Sequence, residues 1–332
     1  MAGTVLVTGA TGFVGRPLVR HLASAGWSVV AGAREAERLA WPAGVAGRAI
    51  ADLAHPIDWA PLLEGVTHIV HLAGLAHATA DVPAARYVAI NAGGAARLAA
   101  AARTAGIRRF VLMSSVRAQS GPVSEKIVSE RDEPRPTDAY GRSKLAAEQA
   151  VAEALAGSAT ENVALRPVLV YGPGVKGNMR ALFELAKLPL PLPVGGLRGR
   201  RSLVSVANLV HAVAHALVER RCSGGTFLVA DPEPQTVPEI VAALRAGLGR
   251  GPRLFAVPSA HMGALARLAG VTEAWKRLTG DLVVDTSALR DTGWGPVEST
   301  RDALADAMRR DEAVGPAAAP QKHGIVRHPG LE

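Results

Sequence analysis

Gly9-Ala10-Thr11-Gly12-Phe13-Val14-Gly15 sets three glycines three residues apart. It follows the β-branched run Thr4–Val7 directly and opens the apolar stretch Val14–Ala25. Glycines between a strand and a helix permit a tight turn and let backbone N–H groups approach a ligand at the helix N-terminus. The helix dipole favours an anion at that point, and a dinucleotide's pyrophosphate is the usual occupant. The spacing differs from the commoner G-x-G-x-x-G. Gly9, Thr11, Gly12, Phe13, Val14 and Gly15 are therefore expected to form the cofactor cradle.

Such a loop belongs to alternating strands and helices, and the first half of the chain alternates in that way. Expected strands are Thr4–Val7, Ser28–Ala31, Ala49–Leu53, His68–Leu72, Phe110–Ser114 and Val163–Val168, with a long alanine-rich helix over Tyr87–Ala105. Apolar strands separated by helices imply a parallel sheet covered on both faces. The expected fold class is α/β, a Rossmann-type doubly wound parallel sheet with a smaller C-terminal substrate-binding domain. After Tyr171 the chain is punctuated by Gly and Pro, and helices are expected over Ala207–Glu219, Val237–Leu248 and Ser299–Arg310. The expected division is a dinucleotide-binding domain over 1–170, a mainly substrate-binding region over 171–312 with some segments returning to the sheet, and a flexible tail over 313–332.

Composition excludes several classes. A single cysteine, Cys222, allows neither an intramolecular disulfide nor a cysteine-cluster metal site. No run approaches the roughly 18 apolar residues of a membrane span, and the N-terminus lacks the pattern of a signal peptide, so a cytoplasmic protein without integral membrane association is expected. The net charge of +8 suits a protein that binds a polyanionic small ligand. Basic residues are scattered, apart from Arg198-Gly199-Arg200-Arg201 and the tail, and no nucleic-acid-binding signature accompanies them.

The end of the second strand bears on the cofactor. An NAD enzyme usually places an acid there for the ribose 2′-hydroxyl. Here the sequence reads Ala31-Gly32-Ala33-Arg34. Arg34 is suited to pair with a 2′-phosphate, so NADP(H) is favoured and NAD(H) remains possible. Asp52 and Leu53 are expected to flank the adenine.

Tyr140-Gly141-Arg142-Ser143-Lys144 is a Tyr-x-x-x-Lys pair opening a helix. A spacing of four puts both side chains on one face. An ammonium near a phenol is expected to lower the tyrosine pKa, making it a proton donor and acceptor for a carbonyl or alcohol. Ser114-Ser115 ends the fifth strand and offers a hydroxyl to the same oxygen.

The segments VTGATGFVG, HIVHLAG, the helix with Asn91, FVLMSS, YGRSK and LRPVLVYGPG run in one order. In these the chain resembles an extended short-chain dehydrogenase/reductase of the NAD-dependent epimerase/dehydratase family, over about residues 3–310. The resemblance implies that Ser115 hydrogen-bonds the reacting oxygen, Tyr140 is the acid/base and Lys144 activates it, with Ser114 as the alternative serine. It also implies cofactor contacts from Leu72, Ala73, Gly74, Asn91, Tyr140 and Lys144, and substrate contacts from Ser115, Asn178 and Arg201.

The resemblance further implies a UDP-sugar substrate. The 4,6-dehydratases carry an Asp-Glu pair where this chain has Val116 and Arg117, which excludes that reaction. Reduction of a UDP-4-keto sugar at C4 is the leading expectation. Alternatives are a UDP-sugar 4-epimerase retaining NAD, a reductase of a small non-nucleotide carbonyl compound, and a cofactor-sensing protein. A homodimer is expected from the same likeness.

No metal site is expected. His211 and His215 lie one helical turn apart but lack a third ligand, and His68 and His71 point to opposite strand faces. Trp275 and Trp294 read as core or cleft-wall residues. No G-x-S-x-G elbow accompanies Ser143, which excludes a serine hydrolase. The apolar stretch Met262–Leu278 reads as a helix over the cleft.

Overall fold

The computed structural model describes residues 3–75, 82–257, 263, 267, 268, 270 and 272–314. Seven parallel strands form the central sheet: β1 (Thr4–Thr8), β2 (Ser28–Ala33), β3 (Val45–Ala49), β4 (His68–His71), β5 (Arg109–Met113), β6 (Glu161–Pro167) and β10 (Thr226–Val229). Their spatial order is β3-β2-β1-β4-β5-β6-β10. The order reverses at β1, so the crevice beyond the C-terminal ends of β1 and β4 is the topological switch point where ligands of such sheets bind.

Alternation along the strands divides the core in two. Val5 and Val7 of β1, Val70 of β4 and Val111 of β5 face one cluster with helix α1 (Gly15–Ser24). Leu6, Ile69, Phe110 and Leu112 face the other, against Leu98 and Ala102 of α4 (Gly94–Thr104) and Val151 of α6 (Ala139–Leu155). Two covered faces explain why the strands read as continuous apolar runs rather than alternating ones. Helix α8 (Val206–Val218) returns from the second half of the chain to pack on the α1 face.

Two short helices, α2 (Ala60–Leu63) and α3 (Ala84–Tyr87), precede α4, and α5 (Val116–Gln119) follows β5. A π-helical turn over Val88–Gly93 joins α3 to α4, and such turns are frequent at functional sites. The third strand is a correction. It forms over Val45–Ala49, before the expected Ala49–Leu53, and it is an exposed edge strand. Gly47 and Arg48 break its apolar pattern, and a Cβ at Gly47 would overlap the Ala36 carbonyl of the neighbouring turn. Asp52 and Leu53 consequently lie in the turn after the strand, where Asp52 accepts from the Ala54 N–H at 2.9 Å.

A third core gathers β7 (Leu169–Tyr171), α7 (Gly177–Lys187), β9 (Leu203–Ser205), α9 (Val237–Gly247) and the helix Thr300–Val314. Here β7 pairs with β9, while β8 (Arg200–Arg201) pairs with β11 (Gln235–Thr236). This is the smaller C-terminal part of the fold. The last helix runs to Val314, four residues past its expected end. Residues 315–332 of the expected tail, and residues 262, 264–266, 269 and 271 of the stretch Met262–Leu278, lie outside the described residues, while Thr272–Thr279 is a helix. No helix among the described residues is long and apolar enough to cross a membrane.

Candidate active site

The glycine loop is shaped by contacts that leave no room for side chains. Gly9 has φ of 72°, which favours glycine, and a Cβ there would stand 2.9 Å from the Ala73 nitrogen beyond β4. A Cβ at Gly15 would overlap the Gly9 carbonyl. Helix α1 begins at this point with no side-chain cap and no acid in its first turn. The Arg16 and Leu18 N–H groups bond Gly12 O and Val14 O and Pro17 carries none, so an anion here would meet the loop that leads into the helix.

Beyond β4, Leu72-Ala73-Gly74 is tied to the same edge. The Ala73 N–H donates to Thr8 Oγ1 at 3.2 Å, and Thr8 Oγ1 lies 2.7 Å from His71 Nδ1. Burial first, then the positive Lys144, pushes His71 down to about 3. The buried Nε2 meets no partner among the described residues. Asn91, presented by the π-helical turn, accepts from the Leu75 N–H at 2.8 Å and donates to Leu75 O and to Ser143 Oγ. A Cβ at Gly74 would come within 2.6 Å of Asn91 Oδ1 and 3.7 Å of Lys144 Nζ. Asn91 thus fixes the loop along which a dinucleotide would run.

Helix α6 presents Tyr140 and Lys144. Asp138 caps it, accepting from the Gly141 N–H at 2.7 Å. Ser115, at the end of β5, stands close enough to Tyr140 for its hydroxyl to favour the phenolate. Ser114 instead donates to Glu148, so the geometry selects Ser115 as the partner of Tyr140. Lys144 is buried and donates to the Met113 carbonyl at 2.9 Å. Burial lowers Lys144 to about 8 against the opposing field of Glu148.

The expected lowering of Tyr140 by Lys144 does not hold in this structure. Burial raises the Tyr140 pKa, and the contacts that lower it are the Ser115 hydrogen bond and the charge of Arg117. The Lys144 ammonium is turned toward Met113 O and Gly74, the place from which it would hold a ribose.

The remaining predicted residues are less closely tied to this centre. Arg34 follows β2, exposed, with no acid at the strand end. Phe13 stands beside Gly172 at the start of the second half. Asn178 is exposed in the first turn of α7. Arg201 donates to the carbonyls of Arg277, Gly280 and Pro122, while Arg198 and Arg200 are exposed. His211 lies 3.1 Å from Gly295 O, and His215 is 2.9 Å from Thr292 Oγ1. Trp294 is buried in the core that lies against α1, and Trp275 packs against the third.

Sequence reading missed a buried network behind the serines. Arg166 joins Glu148 at 2.5 Å and also donates to Gln119, while Glu148 accepts from Ser114. The signal was present, since Glu148 falls four residues after Lys144 and eight after Tyr140 on one helical stripe. Arg117 and Asp138, paired at 2.5 Å, were also not assigned a role at the site.

Comparison with known proteins agrees with this geometry. The model of the NAD dependent epimerase/dehydratase family matches residues 5–230. A UDP-glucose 4-epimerase of Vibrio cholerae is 32% identical over 313 residues, covering 91% of this chain and 93% of the relative. A ceramide reductase of Caulobacter vibrioides is 30% identical, covering 89% of this chain and 86% of its own. Among solved structures, MoeE5 in complex with UDP-glucose and NAD superposes with a TM-score of 0.73 at 26% identity, covering 94% of this chain and 99% of that one.

Proposed function

The chain belongs to the NAD-dependent epimerase/dehydratase family, and from that premise we propose that it moves a hydride between a nicotinamide dinucleotide and C4 of a UDP-linked sugar. It is an enzyme of the extended short-chain dehydrogenase type. The observation that carries the reading is the buried Lys144, anchored at Met113 O one helical turn from Tyr140, with the Ser115 hydroxyl beside that phenol.

The residues present fit the cofactor. Glycines at 9 and 15 sit where a Cβ would strike neighbouring backbone, which holds the loop tight at the N-terminus of α1, and no acid in the first turn of that helix would repel a pyrophosphate. Leu72, Ala73, Gly74 and Asn91 would line the nicotinamide side, with Lys144 on the ribose and Asp52 and Leu53 near the adenine. When bound, the nicotinamide accepts and returns a hydride. Ser115 would hold the C4 oxygen while Tyr140 takes its proton during oxidation and gives it back during reduction. Arg201 and the loop around Asn178 would face the diphosphate from the 171–312 region.

Inversion at C4 is the reaction we place first. It is supported by the likeness to a UDP-glucose 4-epimerase over nearly the whole chain and to a structure holding both UDP-glucose and NAD. Net reduction of a 4-keto sugar by NADPH is the second reading, favoured by Ala33 at the end of β2 and Arg34 directly after it. Proton NMR of a UDP-hexose incubated with the enzyme and NAD separates them. A C4 epimer without accumulating reduced cofactor supports inversion. An inert UDP-hexose beside an NADPH-consuming keto sugar supports reduction. A homodimer in the cytoplasm is part of the same reading, and sedimentation tests the dimer.

A further inference from the structure

Arg117 follows Ser115 by two residues and touches both sides of the site. Its backbone N–H donates to Ser115 Oγ at 3.2 Å, so that oxygen is engaged as an acceptor and the Ser115 hydroxyl proton stays free to be donated. Its side chain runs to the start of α6, where Nη2 donates to Asp138 Oδ2 at 2.5 Å and to Thr137 Oγ1 at 3.3 Å. The other Asp138 oxygen accepts from the Gly141 N–H at 2.7 Å and so caps the turn that holds Tyr140. That turn also lies directly on the Arg117 main chain, because a Cβ at Gly141 would overlap the Arg117 carbonyl oxygen. One residue thus fastens the serine and the tyrosine turn together.

The charges around Tyr140 come from three elements. Arg117, on α5, favours the phenolate, and Asp138, at the cap of α6, opposes it. Tyr87, from α3, stands with its ring centroid 6.3 Å from that of Tyr140 and also opposes ionisation. Lys144, one turn further along α6, is turned to Met113 O. Arg142 acts on Asp138, and Arg117 disfavours the charge on Arg201 after the larger effect of burial. The Arg117 side chain is 18% exposed and its Nη1 is buried, so water and salt screen its charge little.

We propose that Arg117 is a positioning residue for the proton transfer, holding Ser115 through its main chain and the Tyr140 turn of α6 through Asp138. It acts through those residues rather than on the sugar or the dinucleotide. The two members of the ion pair pull Tyr140 in opposite directions, the guanidinium toward the phenolate and the carboxylate toward the phenol. The phenolate is the form that takes a proton from an alcohol. Joined in one bond, the two charges stay in balance beside the reacting hydroxyl. This rests on the hydride-transfer reading above and adds a residue to it.

The chain holds three tyrosines, so the Tyr140 phenolate is read at about pH 10 by ultraviolet difference against the matching Tyr140→Phe protein, with no substrate present. Arg117→Met is expected to lower the phenolate fraction, and Arg117→Lys, which keeps the charge, to restore it. Asparagine caps a helix as well as aspartate does, so Asp138→Asn keeps α6 capped and is expected to raise the fraction. A purely structural brace predicts one direction for Arg117→Met and Asp138→Asn, since both break the same bond. In turnover of a UDP-sugar, Arg117→Met is expected to lower kcat by at least about tenfold with KM held within about twofold. Phenolate fractions that stay equal or move the same way in both variants, or an undiminished kcat in Arg117→Met, overturn the role of Arg117. Opposite shifts in a protein that turns over no UDP-sugar support the placement of Arg117 and overturn the nucleotide-sugar reading instead.

Discussion

Ser114 and Ser115, neighbours at the end of β5, meet side chains two helical turns apart on α6: Ser114 donates to Glu148, and the Ser115 hydroxyl stands close enough to Tyr140 to favour its phenolate. The strand end thus meets the helix twice, once at Glu148 and once beside Tyr140. This division leaves Ser115, rather than Ser114, beside Tyr140, a choice the sequence alone left open between two neighbours.

Removing the Tyr140 hydroxyl tests the proton-transfer role. Tyr140→Phe is expected to lower kcat by about 10²–10⁴-fold while leaving dinucleotide affinity within about twofold. Stopped-flow turnover and fluorescence titration with NADH measure the two quantities separately. Parallel loss of both would show that Tyr140 serves cofactor binding rather than proton transfer.

The cradle is tested at Gly15. A Cβ at this position would overlap Gly9 O and approach Ala10 Cα at 2.9 Å, so Gly15→Ala forces the loop apart. The overpacking is expected to cost about 1–3 kcal/mol and to weaken dinucleotide binding by at least about tenfold. Urea denaturation with and without cofactor measures both effects. Undiminished binding would exclude this loop as the pyrophosphate site.

Glu148 supports the Lys144 ammonium through its charge and braces Arg166 directly. Without that carboxylate, burial acts on Lys144 unopposed and its pKa falls below about 8. If turnover needs the ammonium, the alkaline limb of the pH–kcat profile moves to lower pH in Glu148→Gln. Leaving buried Arg166 without its ion-pair partner is expected to destabilise the fold by about 3–5 kcal/mol. An unmoved alkaline limb in a folded variant would separate Glu148 from Lys144.

His71 makes stability depend on acid. Its folded pKa of about 3 lies below the unfolded value of 6.5, so between these values the unfolded chain binds the extra proton. Stability therefore falls as pH drops through that window, by about 1.4 kcal/mol per unit from this group. Denaturant melts from pH 7 to pH 4 are expected to show a shallower decline in His71→Gln than in the unmodified protein. Identical slopes would contradict a neutral, buried His71.

Much of the site was legible because it depends on short-range spacing. Three glycines after β1 and a Tyr-Lys pair four residues apart on α6 carry their geometry with them. Strand β3 was misplaced because an edge strand holding Gly47 and Arg48 shows no apolar run. The Arg117–Asp138 pair and the Glu148–Arg166 bridge join residues about twenty positions apart, and local pattern does not report such pairings. The tyrosine pKa followed burial rather than the neighbouring lysine, because Lys144 is turned to Met113 O.

The most direct test of the central claim follows the hydrogen at C4. UDP-glucose and UDP-glucuronate, each deuterated at C4, would be incubated with the enzyme and NAD, and the products followed by NMR and mass spectrometry. The account predicts that the C4 deuterium of one of them passes to the nicotinamide, or returns to C4 with inverted configuration, and that Tyr140→Phe stops it. Unchanged configuration in both sugars, with no deuterium on the cofactor, would contradict hydride transfer at C4.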